Sequence, residues 1–332
     1  MPHLAPPDTS PTAHPGTQPT AQPGRDHGGG LDGAITRFGG TRGDWLDLST
    51  GINPEPYPLP RIPAAAWAAL PDHAAQDALT QAARAFWRVP AGAGVLAAPG
   101  ASALIARLPA LAAPGRVRID APTYNEHAAA FAAMGWARAE DGPVEARVLV
   151  HPNNPDGRLR HAGEADAPLT VIDESFCDIC PEQSLVALAT RPGVVVLKSF
   201  GKFWGLAGLR LGFAIATPDT LARLAEMLGP WPVSGPALRI GAAALRDTSW
   251  TEATRARLAR DAARLEALMT GRGATPAGGT DLFRLYHLDD ASLWQERLAR
   301  HHIWTRVFPY SPHLLRLGLP PATGWDRLEA AL

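Results

Sequence analysis

Ser199-Phe-Gly-Lys202-Phe-Trp-Gly-Leu-Ala-Gly-Leu-Arg210-Leu-Gly212 follows directly on the apolar run Val194 to Leu197. Behind a buried strand it places a hydroxyl, an amine and a guanidinium at offsets of three and eight residues, a set able to hold a phosphate and an aldehyde of one ligand. Of the 31 basic residues only Lys198 and Lys202 are lysines. On a solvated surface either basic residue supplies the charge, so these two are candidates for positions where arginine would fail. A lysine amine can lose its proton and condense with an aldehyde, whereas an arginine stays protonated. A nucleotide-binding loop does not fit: Leu197 stands where a second glycine should precede Lys198, and Gly201-Lys202 is followed by Phe203 rather than Ser or Thr.

Outward from this block the chain alternates strands and helices. Upstream, a helical pattern from His73 to Arg88 leads into Gly94-Val-Leu-Ala-Ala-Pro-Gly100 and a second helix from Ser102 to Ala112. Short apolar strands recur at Val117 to Asp120, Val148 to His151, Leu169 to Asp173, Val194 to Leu197 and Leu211 to Ala216. Continuous Val, Leu and Ile runs of this length predict an α/β fold with a mostly parallel sheet covered on both faces. Beyond Pro218 the pattern turns helical, with a long helix from about Pro236 to Met269. Strands at Leu282 to Leu288 and His313 to Leu319 then flank a helix near Ser292 to His301, which reads as a smaller α+β domain.

The remaining bulk properties exclude several function classes. Lys plus Arg number 31 against 32 for Asp plus Glu, so no overall field draws nucleic acid or an acidic membrane surface. The longest uncharged apolar stretch, between Arg88 and Arg107, contains Pro90, Gly92, Gly94, Pro99 and Gly100 and does not read as a membrane span. Residues 1 to 24 hold seven prolines and one charged residue, Asp8, a composition that buries no core and reads as a disordered tail. It also lacks the basic character of a DNA-binding extension, which argues against a ligand-sensing regulator. Without a basic region followed by an apolar core at the N-terminus, the expected compartment is the cytoplasm. Cys177-Asp-Ile-Cys180 has metal or redox spacing, but no second cysteine pair completes a zinc set, so both cysteines are read as core and no metal is expected. The ten tryptophans are read as core or interface, with Trp204 set apart by its place beside Lys202.

Three further motifs carry polar groups to strand ends. Asp173 closes the run Leu169-Thr-Val-Ile-Asp173, at the carboxyl tip where open α/β sheets bind ligands; taken alone it reads first as a cap for the next segment. His151-Pro-Asn-Asn154-Pro-Asp-Gly157 is a turn with an amide able to donate to a phenolic oxygen. Gly100-Ala101-Ser102 opens a helix directly after a strand, where exposed backbone N–H groups suit a phosphate.

Taken in order, the glycine turn at 100, Pro122-Thr-Tyr124, Asn153-Asn154-Pro-Asp-Gly, Asp173, Ser199-x-x-Lys202 and Arg210 resemble the fold-type I pyridoxal-phosphate enzymes over about residues 27 to 320. Gly205-Leu-Ala-Gly-Leu-Arg-Leu-Gly212 is similar to the histidinol-phosphate aminotransferase branch. His27-Gly-Gly, Ser49-Thr-Gly-Ile-Asn53-Pro, Asp173-Glu-Ser-Phe176 and His313-Leu-Leu-Arg316-Leu-Gly-Leu-Pro resemble the threonine-phosphate decarboxylases of cobalamin biosynthesis. The resemblance implies pyridoxal 5'-phosphate, a homodimer, a small phosphorylated amino-acid substrate and decarboxylation of L-threonine O-3-phosphate, with transamination of histidinol phosphate or a related amine as the alternative. It divides the chain into a tail over 1–26, an N-terminal arm and part of the small domain over 27–60, a cofactor-binding large domain over 61–228 and a C-terminal small domain over 229–332.

Carried onto this sequence, the resemblance makes Lys202 the lysine that condenses with the cofactor and Asp173 the partner of its ring nitrogen. Tyr124 would stack on the ring and Asn154 would donate to its phenolic oxygen. Gly100, Ala101, Ser102, Ser199 and Arg210 would hold the cofactor phosphate. Arg316 would grip the substrate carboxylate by its bidentate fork, and His27, Asn53 and Arg306 complete the expected substrate contacts. Phe176 stands where many relatives carry a tyrosine that also binds the phenolic oxygen, which leaves that task to Asn154. Tyr57, in Pro54-Glu-Pro-Tyr57-Pro, falls near a segment that in relatives reaches the partner subunit's cofactor.

Overall fold

Along the strand Val194–Ser199 the side chains of Val194 and Val196 enter one apolar cluster, while those of Val195 and Leu197 enter another. Both faces of this strand are thus buried, as in a sheet covered on both sides. The protein is described by a computed structural model over residues 27–332; the expected tail, 1–26, lies outside the described residues. The strand is central in a seven-stranded sheet whose spatial order is Gly94–Ala98, Gly212–Ala216, Val194–Ser199, Leu169–Asp173, Ala146–Val150, Arg116–Ile119 and Ala137–Arg138. Gly212–Ala216 is antiparallel to both neighbours. Every other pairing is parallel, so the sheet is mostly parallel, as expected.

A second, antiparallel sheet of four strands, ordered Arg306–Phe308, Ser311–Gly318, Phe283–His287 and Thr275–Thr280, forms the smaller α+β part with the helix Ala291–Ala299. One apolar cluster runs from Leu149 and Ile172 of the large sheet to Phe283, Leu315 and Leu317 of the small one. The two sheets therefore hold each other in place across a common core.

Two expected helices are broken where local chemistry requires it. The helix predicted from Ser102 to Ala112 is an α-helix only over Ala101–Ile105, followed by a 3-10 turn at Leu108–Leu111, because Pro109 has no N–H to continue the ladder. The long helix predicted from Pro236 to Met269 is two, Gly235–Arg246 and Thr248–Thr270. Asp247 leaves helical geometry between them, and its carboxylate accepts from Trp250 N, capping the second helix. Among the described residues no helix is long and apolar enough to cross a membrane.

Strand parity also separates the two lysines. Lys198 continues the Val194 and Val196 face, so its amine enters the core, 2.6 Å from Glu174 Oε2 and 3.6 Å from Asp178 Oδ1. Burial alone would lower its pKa, but the two carboxylates outweigh burial and raise it above the ordinary lysine value. Glu174 also accepts from Ser184 Oγ and Leu185 N, and Asp178 from the indole N–H groups of Trp87 and Trp204. Replacing Lys198 with methionine strands two buried carboxylates, so Lys198→Met should lose about 3–5 kcal/mol in denaturant unfolding at pH 7. Since the folded pKa lies above the unfolded one, the wild-type advantage is complete below the unfolded lysine pKa and fades as pH rises through the folded value. An unchanged unfolding midpoint would refute this assignment.

Candidate active site

Two adjoining cavities open at the carboxyl ends of the central strands, an inner one of about 200 Å³ and an outer one of about 820 Å³. Tyr124, Asn154, Phe176 and Lys202 line both, so the Lys202 amine sits where they meet. All nine residues expected to hold the cofactor, Gly100, Ala101, Ser102, Tyr124, Asn154, Asp173, Ser199, Lys202 and Arg210, line the inner cavity. His27, Arg306 and Arg316 line the outer one.

Asp173, 3% exposed, ends its strand with both carboxylate oxygens engaged. Oδ2 lies 2.8 Å from His127 Nε2, and Oδ1 accepts from Ser175 Oγ at 2.6 Å and Ser175 N at 3.0 Å. Burial pushes the carboxyl pKa up, but these hydrogen bonds and the neighbouring imidazole hold it below the ordinary carboxylate value. The sequence reading did not include His127 or Ser175. The available signal for His127 was its position one helical turn after Tyr124, at the start of the helix Asn125–Ala133.

Also lining the inner cavity, Gly100 adopts φ +84°, and a Cβ there would lie 2.6 Å from Arg210 Nη2. Only glycine admits both the backbone angle and the guanidinium. Arg210 itself is left-handed, at φ 52° and ψ 54°, with Nη1 donating to Ala207 O at 3.2 Å. The Arg210 guanidinium, the Ser199 hydroxyl and the helix start share one cavity lining with Asp173, a set that fits pyridoxal phosphate in charge and polarity.

Lys202 Nζ lies 5.3 Å from the centroid of Phe176. Burial of the amine, with Arg316 and Arg210 nearby and only Asp173 opposing, brings its pKa down to about 8. At neutral pH about a tenth of such amines are unprotonated, against about one in 2500 for an ordinary lysine. The arrangement therefore maintains a nucleophilic amine under ordinary conditions. Arg316 is buried against the Phe283 ring, donates through Nη2 to Ser49 O at 2.7 Å and through Nη1 to Asn154 Oδ1, and is itself brought down to about 10 by burial and then by Arg306. It stays cationic at neutral pH. Because Asn154 accepts from Arg316 through its oxygen, its NH2 group is the end left to donate elsewhere.

Several expectations change. Asn53 lines neither cavity. Its Nδ2 donates to Phe203 O at 2.8 Å, its Oδ1 accepts from Arg257 at 2.6 Å, and its backbone N donates to Lys202 O at 3.0 Å. It anchors the loop that carries Lys202 instead of facing a substrate. Tyr57 turns into its own chain, where its hydroxyl donates to Asp247 at 3.4 Å and its ring meets Trp204 and Trp250 edge-on. Trp204 is fully buried, stacked between Phe200 and Trp250, and belongs to the core. His27 pairs with Glu126 at 2.9 Å and accepts Arg306 on its backbone oxygen at 2.5 Å. Cys177 gathers with His151 and Glu174 into a buried cluster with metal-like geometry. However, Arg160 N and Gln183 O use both imidazole nitrogens, and Glu174 is committed as described, so these ligand atoms are already taken.

Residues 148–332 match the family model for aminotransferase class I and II. A threonine-phosphate decarboxylase of Sinorhizobium sp is 44% identical, covering 91% of this chain and 95% of the relative. A threonine-phosphate decarboxylase of Pseudomonas aeruginosa is 41% identical, covering 92% and 97%. Among solved structures, a histidinol-phosphate aminotransferase from Sinorhizobium meliloti in complex with pyridoxal-5'-phosphate superposes with a TM-score of 0.77 at 18% identity, covering 91% of this chain and 92% of that one. Matched in its own strands and helices and in sequence over most of its length, the chain belongs to the class I and II aminotransferase family.

Proposed function

We propose that the protein is a pyridoxal-phosphate-dependent lyase that decarboxylates L-threonine O-3-phosphate to (R)-1-aminopropan-2-yl phosphate and carbon dioxide, a step of cobalamin biosynthesis carried out in the cytoplasm. The observation that carries this reading is the outer cavity. Around the Lys202 amine its lining gathers His27, Arg306 and Arg316, with no carboxylate among the described lining residues. Such a wall suits a small amine bearing both a phosphate and a carboxylate. The two relatives named for this reaction support it across nearly their whole length.

When bound, pyridoxal phosphate supplies an aldehyde that captures the substrate amine and a charged ring that accepts the electron pair released at Cα. The protein's own residues do the rest. Asp173, held ionised by His127 and Ser175, would keep a proton on the ring nitrogen. Tyr124 would stack on the ring, Asn154 would donate its NH2 to the phenolic oxygen, and Ser199, Arg210 and the backbone from Gly100 to Ser102 would hold the cofactor phosphate. Arg316 takes the substrate carboxylate, and His27 and Arg306 take the substrate phosphate. A grip on the remote phosphate, together with Arg316 on the carboxylate, would fix the rotation about Cα and so select the bond to the carboxylate, rather than the one to hydrogen, for cleavage. Lys202, lining both cavities, would be the group at hand to return a proton to Cα.

A homodimer completes the reading. Trp67 and Leu70 are 71% and 67% exposed, and Leu59 and Trp231 are also exposed. The helix Ala65–Ala68 packs on Gly235–Arg246, just beyond Trp231, so this apolar surface is suited to a second copy.

Incubation with L-threonine O-3-phosphate should release carbon dioxide and aminopropanol phosphate, and plain threonine should react poorly. Transfer of the amino group of histidinol phosphate to 2-oxoglutarate without carbon dioxide release from threonine phosphate would sink the assignment. Borohydride should trap the cofactor on Lys202, so Lys202→Ala should prevent trapping while Lys198→Ala should not. Asp173→Asn should still bind cofactor but lose on the order of 10²-fold in turnover; near-normal rates would leave Asp173 as a strand-end cap. Finally, the rate at which the apoprotein captures pyridoxal phosphate, followed by absorbance, should rise with pH to a midpoint near the Lys202 pKa of about 8. A midpoint near that of free lysine would contradict the site's electrostatics.

A further inference from the structure

The outer cavity has a fifth basic residue, to which the function gives no task. Arg138 closes the edge strand Ala137–Arg138, paired in parallel with Val117 of Arg116–Ile119, and lines the cavity beside Ile119 and Ala121. Its neighbours spend their guanidinium groups on the following loop: Arg116 donates to Asp141 O and Pro143 O, and Arg118 donates to Gly142 O. Arg138 is exposed, and among the described residues it has no carboxylate partner. A solvated arginine on an edge strand is commonplace. One that faces a cavity lined also by Arg306 and Arg316, with no carboxylate in the described lining and Glu126 on His27 as the nearby counter-charge, adds to a predominantly positive field.

We propose that Arg138 is a specificity-determining residue of the entrance, drawing doubly anionic phosphorylated amino acids into the outer cavity and discriminating against unphosphorylated ones. The proposal rests on the substrate reading above. At neutral pH a phosphomonoester carries a charge of about −1.5 to −2, so with the carboxylate and ammonium cancelling, threonine phosphate keeps that charge and plain threonine is near zero. A cation at the edge of a predominantly positive field raises the encounter rate of the first and does nothing for the second. Because it acts before the chemistry, it belongs in kcat/KM rather than kcat. Because it is exposed, it should be screened once the Debye length falls to a few ångströms.

The test measures steady-state kinetics of the holoenzyme with L-threonine O-3-phosphate at about 20 mM and about 0.5 M ionic strength. At low salt Arg138→Ala should lower kcat/KM about five- to ten-fold with kcat nearly unaffected, and at high salt the gap should close to about two-fold. Arg138→Lys should restore most of the loss, and the exposed control Arg260→Ala should show none. In parallel, calorimetry measures binding of inorganic phosphate and of L-threonine O-3-phosphate to borohydride-reduced holoenzyme, which cannot turn over. Arg138→Ala should weaken both. If the reduced enzyme binds histidinol phosphate in preference to threonine phosphate, and Arg138→Ala weakens that binding, the substrate reading fails while the role of Arg138 stands. The proposal is overturned if Arg138→Ala leaves kcat/KM and phosphate affinity unchanged at low salt, or if its loss is independent of salt.

Discussion

A carboxylate at the tip of a central strand, almost wholly removed from water, has to remain charged. Desolvating an unpaired carboxylate costs several kcal/mol, and the usual escape is to take up a proton. Asp173 avoids that because His127 and Ser175 supply one imidazole and two further donors within 3.0 Å. The rest of the site is arranged around this requirement. His127 lies on the helix that begins immediately after Tyr124, so the element that stabilises the carboxylate also sets the aromatic ring at the cavity wall. The loop before Tyr124 is tied to the Asn154 loop, since Thr123 Oγ1 donates to Asn153 Oδ1 at 2.6 Å and Asn153 Nδ2 donates to Pro122 O at 3.0 Å. The ring-facing groups of three chain segments therefore share one rigid frame.

Opposite that negative end the protein crowds positive charge. Arg316 and Arg210 lower the Lys202 pKa in the same direction as burial, and Asp173 only partly opposes them. Close packing makes the crowding possible. Gly51 is pressed between Phe176 and Phe283, where a Cβ would lie within 2.9 Å of both rings, so these aromatics form an uninterrupted wall beneath Lys202 and Arg316. Against an apolar wall the guanidinium and the amine lose hydration, which raises the reactivity of the amine while Arg316 stays charged.

The two lysines illustrate what can be read directly from a sequence and what cannot. Both stand out against a background of arginine, and the residues around Lys202 already set it apart as the candidate nucleophile. The reason for keeping Lys198 was not legible. It depends on Glu174 and Asp178, 24 and 20 positions upstream, which reach the same side of the strand only because the parallel pairing of Leu169–Asp173 with Val194–Ser199 sets their register. The same holds for Asn53: the resemblance made it a substrate contact, while the structure keeps it out of both cavities and ties it to Phe203 and Arg257, 150 and 204 residues away.

By itself the sequence determined the alternation of strands and helices, the mostly parallel sheet, and the set of side chains at its carboxyl edge, because strand runs, glycine turns and short polar motifs are local and follow from a few neighbouring residues. The breaks at Pro109 and Asp247 were local as well, and the chemistry for them was present in the residues. Only the tertiary structure decided which of those side chains share a cavity, how their charges act on one another, and that Arg138 on the edge strand faces the same space as Arg306 and Arg316. The physical reason is that ionisation and polar satisfaction depend on distance and burial, and those are set by strand register and domain packing between segments tens to hundreds of residues apart.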